Sequence, residues 1–303
     1  MSHPFLHPLS GMLLERVARL FKDERAYLVP DRSLLFVCGG PVAPDAQSVR
    51  KRFLEYAAGA LPNFRVFLAE AAARDLTEYD EPKFLNLAQF EQFIATFADC
   101  ILLFAESPGS LAEIGFFSAF SGTRKKLLVV NRLEVQASES FINNGPIALI
   151  NDDSAFKPVI FMDFGRHELD FSPINQRLLR FPAKKRQRFS FKRYSELQPR
   201  ERLGIILEII KIFEPISLLG LEYVIKSILE DPSYDEVRHL VSLALAVGYI
   251  TRVGTFEDAF SANSHTGTLF ALNRQEMERI RWSILDFYSR YFPHLYSLES
   301  APG

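Results

Sequence analysis

Residues 98–115 constrain the fold more than any other part of the chain. A short apolar run, residues 100–105, passes into a Ser-Pro-Gly-Ser turn and then into a helical pattern. An uninterrupted apolar run is typical of a strand covered on both faces of a parallel sheet. Open α/β sheets of this kind bind ligands at the carboxyl ends of their strands. The sequence therefore places two acids, Glu106 and Glu113, at such an edge.

The same alternation of apolar strands and helical patterns extends over residues 1–182. Five strands are predicted, at residues 34–38, 65–68, 100–105, 126–131 and 158–162. Continuous apolar strands that alternate with helices indicate parallel βαβ units. We therefore predict a doubly wound, mostly parallel five-stranded sheet of the α/β class in this part of the chain.

The remainder of the chain has a different pattern. Residues 183–199 are rich in Lys and Arg and lack a sustained apolar period, so we interpret them as a basic linker. Residues 200–303 contain three helical patterns, two strands predicted to pair as a hairpin (249–253 with 268–272) and a last helix at 274–291. This order predicts a winged helix-turn-helix domain.

Composition narrows the classes of function. A formal net charge of -2 over 303 residues gives the whole chain no general attraction for nucleic acid. Cys38 and Cys100 lie in apolar runs, which favours buried thiols over a disulfide, and no zinc-ligand spacing is present. Because we find neither a leader pattern nor an apolar run of about 18 residues, we expect a cytoplasmic protein without a membrane segment.

Two interpretations of the acidic turn remain open. In the first, Glu113 acts on an N-glycosidic bond, because a carboxylate stabilises or traps the oxocarbenium-like sugar formed during cleavage. Glu106, Ser107, Gly109 and Ser110 would then line the same pocket. In the second, Ser110 caps the helix and Glu113 closes a capping box on the Ser110 N–H, which is a structural role.

Other candidate substrate-binding residues lie near the ends of predicted strands or at the start of a helix. They are Cys38, Gly39, Gly40, Gln47, Glu70, Asp99 and Asn144. The glycines suit either a tight turn or the close approach of a ligand. The polar residues are either ribose contacts or solvated loop residues, and Asn-Gly-Pro at 144–146 is also a turn signal.

Cations and aromatic residues alternate in the basic linker. The cations are Lys184, Lys185, Arg186, Arg188, Lys192 and Arg193, and the aromatic residues are Phe189, Phe191 and Tyr194. Cations attract phosphates and aromatic rings stack on unpaired bases, so the segment is either a nucleic-acid or partner contact or a solvated linker. The expected recognition helix, residues 233–246, offers only Arg238 and His239 for base readout, which disfavours reading of the major groove.

Three motifs occur in a fixed order: Phe-Val-Cys-Gly-Gly at 36–40, Leu-Phe-Ala-Glu-Ser-Pro-Gly-Ser-Leu-Ala-Glu-Ile-Gly at 103–115, and Ser-Phe-Ile-Asn-Asn-Gly-Pro at 140–146. In these motifs the chain resembles the effectors of type II retrons, which are bacterial antiphage toxins. The resemblance implies a nucleoside deoxyribosyltransferase-like domain, related to Rossmann-like folds, followed by a winged helix. It places the family's catalytic glutamate at Glu113.

The resemblance also implies an N-glycosidase that hydrolyses a nucleotide, with NAD as substrate and neither a cofactor nor a metal. The implied partners are the retron reverse transcriptase and its multicopy single-stranded DNA (msDNA) with the attached RNA. These would restrain the toxin until phage infection, in a homo-oligomer or filament. The alternatives are a nucleoside deoxyribosyltransferase or phosphoribohydrolase of nucleotide metabolism, and a non-enzymatic nucleotide-sensing transcription regulator.

Overall fold

The chain divides into two units. One, the sheet unit, contains Arg32–Ala183, and the other, the helical unit, contains Met1–Asp31 together with Lys184–Gly303. The structure, a computed structural model, describes residues 4–23, 25–29, 31–71, 87–180, 185–253, 259–263 and 267–293. No helix among these residues combines the length and the apolar character needed to cross a membrane.

Helices and strands alternate through most of the described chain. The helices are α1 (Ser10–Lys22), α2 (Val49–Ala60), α3 (Leu87–Phe97), α4 (Pro108–Ala119), α5 (Ser121–Arg124), α6 (Ala148–Asp153), α7 (Ser172–Leu178), α8 (Pro199–Phe213), α9 (Leu218–Ile228), α10 (Tyr234–Ala246) and α11 (Arg274–Tyr291). The strands are β1 (Tyr27–Leu28), β2 (Ser33–Cys38), β3 (Phe64–Phe67), β4 (Cys100–Phe104), β5 (Leu127–Arg132), β6 (Ile160–Met162), β7 (Gln187–Arg188), β8 (Ile216–Ser217), β9 (Ile250–Val253), β10 (Ala259–Ala262) and β11 (Phe270–Ala271). Shorter turns are the 3-10 segments Pro4–Leu6, Leu133–Val135 and Tyr194–Glu196 and the π-helical segment Asn143–Ile147.

The sheet unit is built on one five-stranded sheet with the order β3-β2-β4-β5-β6. Every neighbouring pair is parallel, so the predicted five-stranded sheet is confirmed and is wholly parallel. Strands β2, β4 and β5 are buried along nearly their whole length, which agrees with their uninterrupted apolar sequences.

Helices cover both faces of this sheet. On one face Phe53 of α2 packs on Phe104 of β4 and on Phe171, which precedes α7. On the other face Phe117 of α4 meets Phe36 of β2 edge to face. The chain moves outward from β2 to β3 and then returns to place β4 on the other side of β2. The carboxyl ends of β2 and β4 therefore flank a topological switch point, where open α/β sheets form their ligand crevice.

The helical unit includes the first 31 residues, which the sequence analysis had placed with the sheet. Helix α1 buries Leu14, Val17 and Phe21 and packs against α11 and α9. Arg16 of α1 also pairs with Glu276 of α11 at 2.9 Å. These contacts explain the difference, because the apolar face of α1 has its partner helices in the C-terminal part of the chain.

The hairpin predicted for residues 249–253 and 268–272 is wrong. Strand β9 pairs antiparallel with β10, and β10 pairs with β8. Phe270 and Ala271 instead form β11, which pairs with β1 in a separate three-stranded sheet completed by β7. The physical reason lies in residues assigned to the loop: Ala259 and Phe260 are fully buried and supply the apolar strand.

Part of the predicted basic linker is folded into the helical unit. Phe189 is 3% exposed and its ring meets Phe270 edge to face at 4.8 Å. Tyr194 is equally buried. Lys184 lies outside the described residues. Phe189 and Tyr194 anchor this segment in the helical unit, so the interpretation as a wholly solvated linker is wrong, although Arg188 and Arg193 are exposed.

Candidate active site

Helix α4 begins three residues earlier than the sequence indicated. Ser107 is the N-cap and Pro108 the first helical residue, a favoured place for proline because its missing N–H is not needed there. The Ser107 hydroxyl accepts from the Ser110 N–H at 3.1 Å, and the Ser110 hydroxyl accepts from the Ser107 N–H at 2.9 Å. The predicted capping box between Ser110 and Glu113 is therefore wrong, and Glu113 has no part in the cap.

Glu106 connects the ends of β2 and β4 to the start of α2. One of its carboxylate oxygens accepts from the backbone N–H groups of Gly40 at 2.7 Å and Arg50 at 3.0 Å, and the other accepts from the Val49 N–H at 2.6 Å. Two of these donors belong to the first turn of a helix, where a negative charge is favourable. Glu106 thus holds the loop between β2 and α2 against the first turn of α2.

Gly39 and Gly40 make room for that carboxylate. A Cβ on Gly40 would lie 2.8 Å from the Glu106 carboxyl carbon and 2.9 Å from the Ser48 Cβ. A Cβ on Gly39 would lie 3.0 Å from the Glu106 Oε1, and the φ of 149° at Gly39 also favours glycine. The sequence left open whether these glycines form a tight turn or allow a ligand to approach closely. The contacts support a close approach, but the group that approaches is the Glu106 side chain.

Glu113 belongs to a cluster of charged side chains contributed by four separate segments. The cluster contains Glu113 from α4, Glu91 from α3, Glu70 after β3 and Arg50 from α2. Arg50 is only 4% exposed and bonds Glu70 through its Nη2. Among the described residues, no hydrogen-bond partner lies near the buried Oε2 of Glu113 or the Nε of Arg50. The cluster therefore has donor and acceptor capacity that the described residues do not fill.

Burial dominates the electrostatics of this cluster. It raises the pKa of Glu113 to about 8, with further contributions from the negative charges of Glu91 and Glu70 and an opposing one from Arg50. Burial and the charge of Glu70 likewise raise the pKa of Glu91 to about 7. Two interacting acids with raised pKa values are a typical arrangement for proton transfer near neutral pH.

Cys38 lies beside the same cluster, at the carboxyl end of β2. Both Cys38 and Cys100 are buried and free, as predicted. Burial, followed by the charges of Glu113 and Glu91, raises the pKa of the Cys38 thiol. A protonated thiol is a poor nucleophile, so Cys38 contributes shape rather than reactivity to the crevice.

Glu91 and Arg50 were not among the predicted site residues. Each borders the apolar stripe of its helix: Glu91 follows the buried Phe90, and Arg50 follows the buried Val49. A charged residue next to buried positions of a helix was the available signal. It was insufficient by itself, because such residues usually extend into solvent.

Family comparison agrees with the topology and the motifs. Residues 46–252 match the family model described as STM3845 retron effector protein. The chain belongs to this family. The match covers more than half of the effector and includes both Glu106 and Glu113.

Two relatives from Escherichia coli extend this comparison. The "Retron Ec73 putative ribosyltransferase/DNA-binding protein" is 32% identical over 124 residues, which are 41% of the effector and 39% of that protein. The "Retron Ec86 putative ribosyltransferase/DNA-binding protein" is 34% identical over 116 residues, which are 38% of the effector and 36% of that protein. The effector thus matches less than half of the length of each relative.

The structure separates the other predicted site residues of the effector into two groups. Gly109 and Gln47 are exposed near the starts of α4 and α2, and Asn144 is exposed in the π-helical segment that packs against α4. All three lie on the side of the sheet unit where the strands end. Asp99 lies at the opposite edge, because it precedes β4 and its carboxylate accepts from the Leu34 N–H near the start of β2. The structure therefore does not bring Asp99 together with Glu113.

The basic segment presents exposed cations, while two of its three aromatic rings are buried and Phe191 is half-buried. Lys185, Arg186 and Arg188 are exposed on or beside β7. The other two predicted contact residues are less available to a nucleic acid. Lys192 is half-buried, and Arg193 pairs with Glu230 at 3.2 Å. The predicted base stacking is wrong for Phe189 and Tyr194 because both are buried. No group of three His, Cys, Asp or Glu side chains in the described part of the effector is arranged to hold a metal ion.

Proposed function

We propose that the effector hydrolyses the N-glycosidic bond of a nucleotide, with NAD as the substrate, and that Glu113 performs the central step. The observation that carries this proposal is the buried Oε2 of Glu113, which has no hydrogen-bond partner among the described residues and belongs to a carboxylate cluster beside the switch point. The Ser107–Ser110 cap removes the structural explanation that the sequence offered for Glu113. A buried acid without a structural partner is retained at a cost to stability, as is common at catalytic sites.

A cationic substrate would favour the ionised form of the cluster, because repulsion among its own carboxylates is one of the causes that raise the pKa values of Glu113 and Glu91. When all three carboxylates are ionised, they outnumber the one guanidinium and the cluster is negative. The nicotinamide ring of NAD carries a positive charge next to the bond that breaks, and it leaves as a neutral molecule. As this bond breaks, positive charge moves to the ribose C1′, where Glu113 stabilises it or forms a transient bond to it.

Water completes the proposed reaction. Its oxygen bonds to C1′ and gives ADP-ribose, and one proton is released. Glu91 is suited to accept that proton, because its pKa of about 7 is close to the operating pH. Glu70, whose side chain is half exposed, would contact ribose hydroxyls, while Glu106 holds the loop after β2 in place.

A substrate panel tests this proposal. Full-length effector, purified without other retron components, is incubated with NAD and separately with free nucleosides and deoxynucleosides, and the released bases are measured by mass spectrometry. We expect nicotinamide and ADP-ribose from NAD. Release of bases from free nucleosides with NAD intact would instead support a nucleoside deoxyribosyltransferase, and base release from nucleoside monophosphates alone would support a phosphoribohydrolase. Sequence-specific duplex binding without any turnover would support a nucleotide-sensing regulator.

We further propose that the helical unit docks the effector on a retron reverse transcriptase and its msDNA through a winged helix. The element order α8-β8-α9-α10-β9-β10 supports a winged helix. Helix α10 is poorly suited to base readout, since its Arg238 pairs with Glu222 at 2.8 Å and its Glu236 with Arg202 at 2.7 Å. The exposed cations near β7 are better placed to contact a phosphate backbone.

Removing two of these cations tests the nucleic-acid contact. We expect the double variant Lys185→Gln with Arg188→Gln to bind msDNA about tenfold more weakly. The slope of log K against log salt should fall in magnitude by about 1 to 2, because fewer counterions are released on binding when phosphate contacts are lost. The matched control is Arg274→Gln with Arg290→Gln, which removes two exposed cations from α11. Equal losses in both double variants, or no loss in the first, would contradict a specific role for this segment.

A further inference from the structure

We propose that Arg132 binds a phosphate of the substrate, so that the effector acts on phosphorylated nucleotides and discriminates against nucleosides. The inference rests on the proposed function, because it concerns the other end of the molecule whose glycosidic bond meets Glu113. It names the class of substrate for that site and one residue that determines the specificity.

Arg132 is the last residue of β5, at the edge of the sheet where the strands end. Its Nη2 donates to the Glu106 carbonyl at 3.1 Å, directly before the N-cap of α4. Its guanidinium carbon lies 5.8 Å from the centre of the Phe164 ring, which is within the range of a cation–π contact. These two contacts hold in one place a side chain that would otherwise move freely in solvent.

The guanidinium of Arg132 keeps most of its hydrogen-bonding capacity. Of its five N–H donors, the contacts with described residues use one. The Phe164 contact uses the face of the ring and no donor. Arg132 is exposed, and no carboxylate among the described residues pairs with it. A positioned guanidinium with unused donors is suited to a phosphate, because its planar fork can bond two phosphate oxygens at once.

The charges around the site favour different ends of a nucleotide. When they are ionised, Glu70, Glu91 and Glu113 attract the cationic nicotinamide and repel a phosphate. The carboxylate of Glu106 is compensated by the three backbone N–H groups that it binds. The negative diphosphate of NAD therefore lies at Arg132, outside the carboxylate cluster.

The separation between Arg132 and Glu113 suits a molecule of this length. Arg132 bonds the carbonyl that precedes Ser107, and Glu113 follows Ser107 on α4 after a rise of about 9 Å. Phe164 packs on the face of the sheet that α2 covers, whereas α4 covers the other face. The nucleotide therefore crosses the strand ends between the two faces, as ligands of open α/β sheets do.

Nicotinamide riboside tests the assignment, because it has the cationic base and the glycosidic bond of NAD but no phosphate. Full-length effector is supplied with either compound, and kcat/KM is measured from the released nicotinamide. We expect Arg132→Gln to lower kcat/KM for NAD about 10- to 100-fold, the usual effect of losing a charge-assisted bond, and to change kcat/KM for nicotinamide riboside by less than about twofold. Arg132→Lys, which keeps the charge but not the fork, should give an intermediate value for NAD.

The matched control is Arg166→Gln, which removes an exposed cation whose Nε already pairs with Asp163 at 3.4 Å. This variant should act on both substrates as wild type does. A structural role for Arg132 would lower kcat/KM for both substrates alike, and a general effect of surface charge would lower the value for NAD equally in Arg132→Gln and Arg166→Gln. Either result, or an unchanged kcat/KM for NAD in Arg132→Gln, would overturn the inference.

Binding of ADP-ribose separates this inference from the proposed reaction, because it requires no turnover. Calorimetry compares ADP-ribose with adenosine, which lacks phosphate and should bind wild type and Arg132→Gln equally. If Arg132→Gln weakens ADP-ribose binding about tenfold or more in a protein that leaves NAD intact, the phosphate site stands and NAD hydrolysis is rejected. If wild type releases nicotinamide and both proteins bind ADP-ribose equally, the function stands and the role of Arg132 is rejected. Wild type that neither binds ADP-ribose nor consumes NAD would reject both.

Discussion

Glu113→Gln is expected to reduce nicotinamide release by about 1,000-fold or more, as is usual when the group that meets the reacting carbon is removed. The amide retains the shape of the side chain but cannot carry the negative charge that stabilises the sugar cation. The measurement is single-turnover and steady-state release of nicotinamide by full-length protein. Glu134→Gln, an exposed acid just after β5, is the control and should behave as wild type.

The same substitution is expected to stabilise the protein at alkaline pH. In the folded protein Glu113 releases its proton near pH 8, whereas the ordinary value is 4.5. The folded state therefore binds more protons than the unfolded chain between these values, so the stability of wild type falls as the pH rises through this window. Glutamine does not titrate, so the free energy of unfolding of Glu113→Gln should exceed that of wild type by about 1 to 3 kcal/mol at pH 9.

Denaturant unfolding at pH 5 and pH 9 provides the comparison. The difference in unfolding free energy between Glu113→Gln and wild type should be larger at pH 9 than at pH 5. If Glu113→Gln released nicotinamide at the wild-type rate, Glu113 would have no catalytic role. If Glu113→Gln were no more stable than wild type at pH 9, the raised pKa of Glu113 would be wrong.

Glu106→Ala is expected to have the opposite effect on stability, although both acids lie in one motif. It removes the acceptors of three backbone N–H groups, two of them at the start of α2. Loss of charge-assisted bonds and the donors left without acceptors should cost about 3 kcal/mol or more between pH 6 and pH 9. Activity should fall together with the folded population, because the same contacts hold Arg50 in the cluster.

Denaturant unfolding and amide exchange test this second prediction. The amides of Gly40, Val49 and Arg50 should lose protection in Glu106→Ala before the centre of the sheet does. Glu55→Ala removes an exposed acid from the same helix and should change stability by less than about 0.5 kcal/mol. If the two alanine variants unfold alike, Glu106 does not hold the loop in the way its contacts indicate.

The contrast between these two acids explains the mixed success of the sequence analysis at the site. Spacing suggested a cap for Glu113 and left Glu106 without a structural task. The tertiary contacts reverse both assignments: Ser107 and Ser110 form the cap, and Glu106 is bonded to three backbone groups. The Gly40 N–H and the Glu106 carboxylate are 66 residues apart, so no local pattern could reveal their bond.

The same limit applies to the helical unit. Phe189 was predicted either to stack on an unpaired base or to lie in a solvated linker, because the surrounding residues are basic, yet it packs on Phe270 from a distant strand. The strand that pairs with β9 was also misplaced: it is β10, which lies between the two segments that were predicted to form the hairpin. Which strand pairs with β9 depends on the packing of the whole unit rather than on one segment alone.

The sequence by itself determined the order of strands and helices in the sheet unit, the parallel sheet and the membership of the retron effector family. These follow from local hydrophobic periodicity and from short motifs, both of which depend only on residues that are adjacent in the sequence. The tertiary structure alone decided that Glu91 and Arg50 join Glu113 and that Glu106 is structural. The physical reason is that the sheet order and helix packing bring α2, α3 and α4 to one edge, and the burial created there sets the charge of each group.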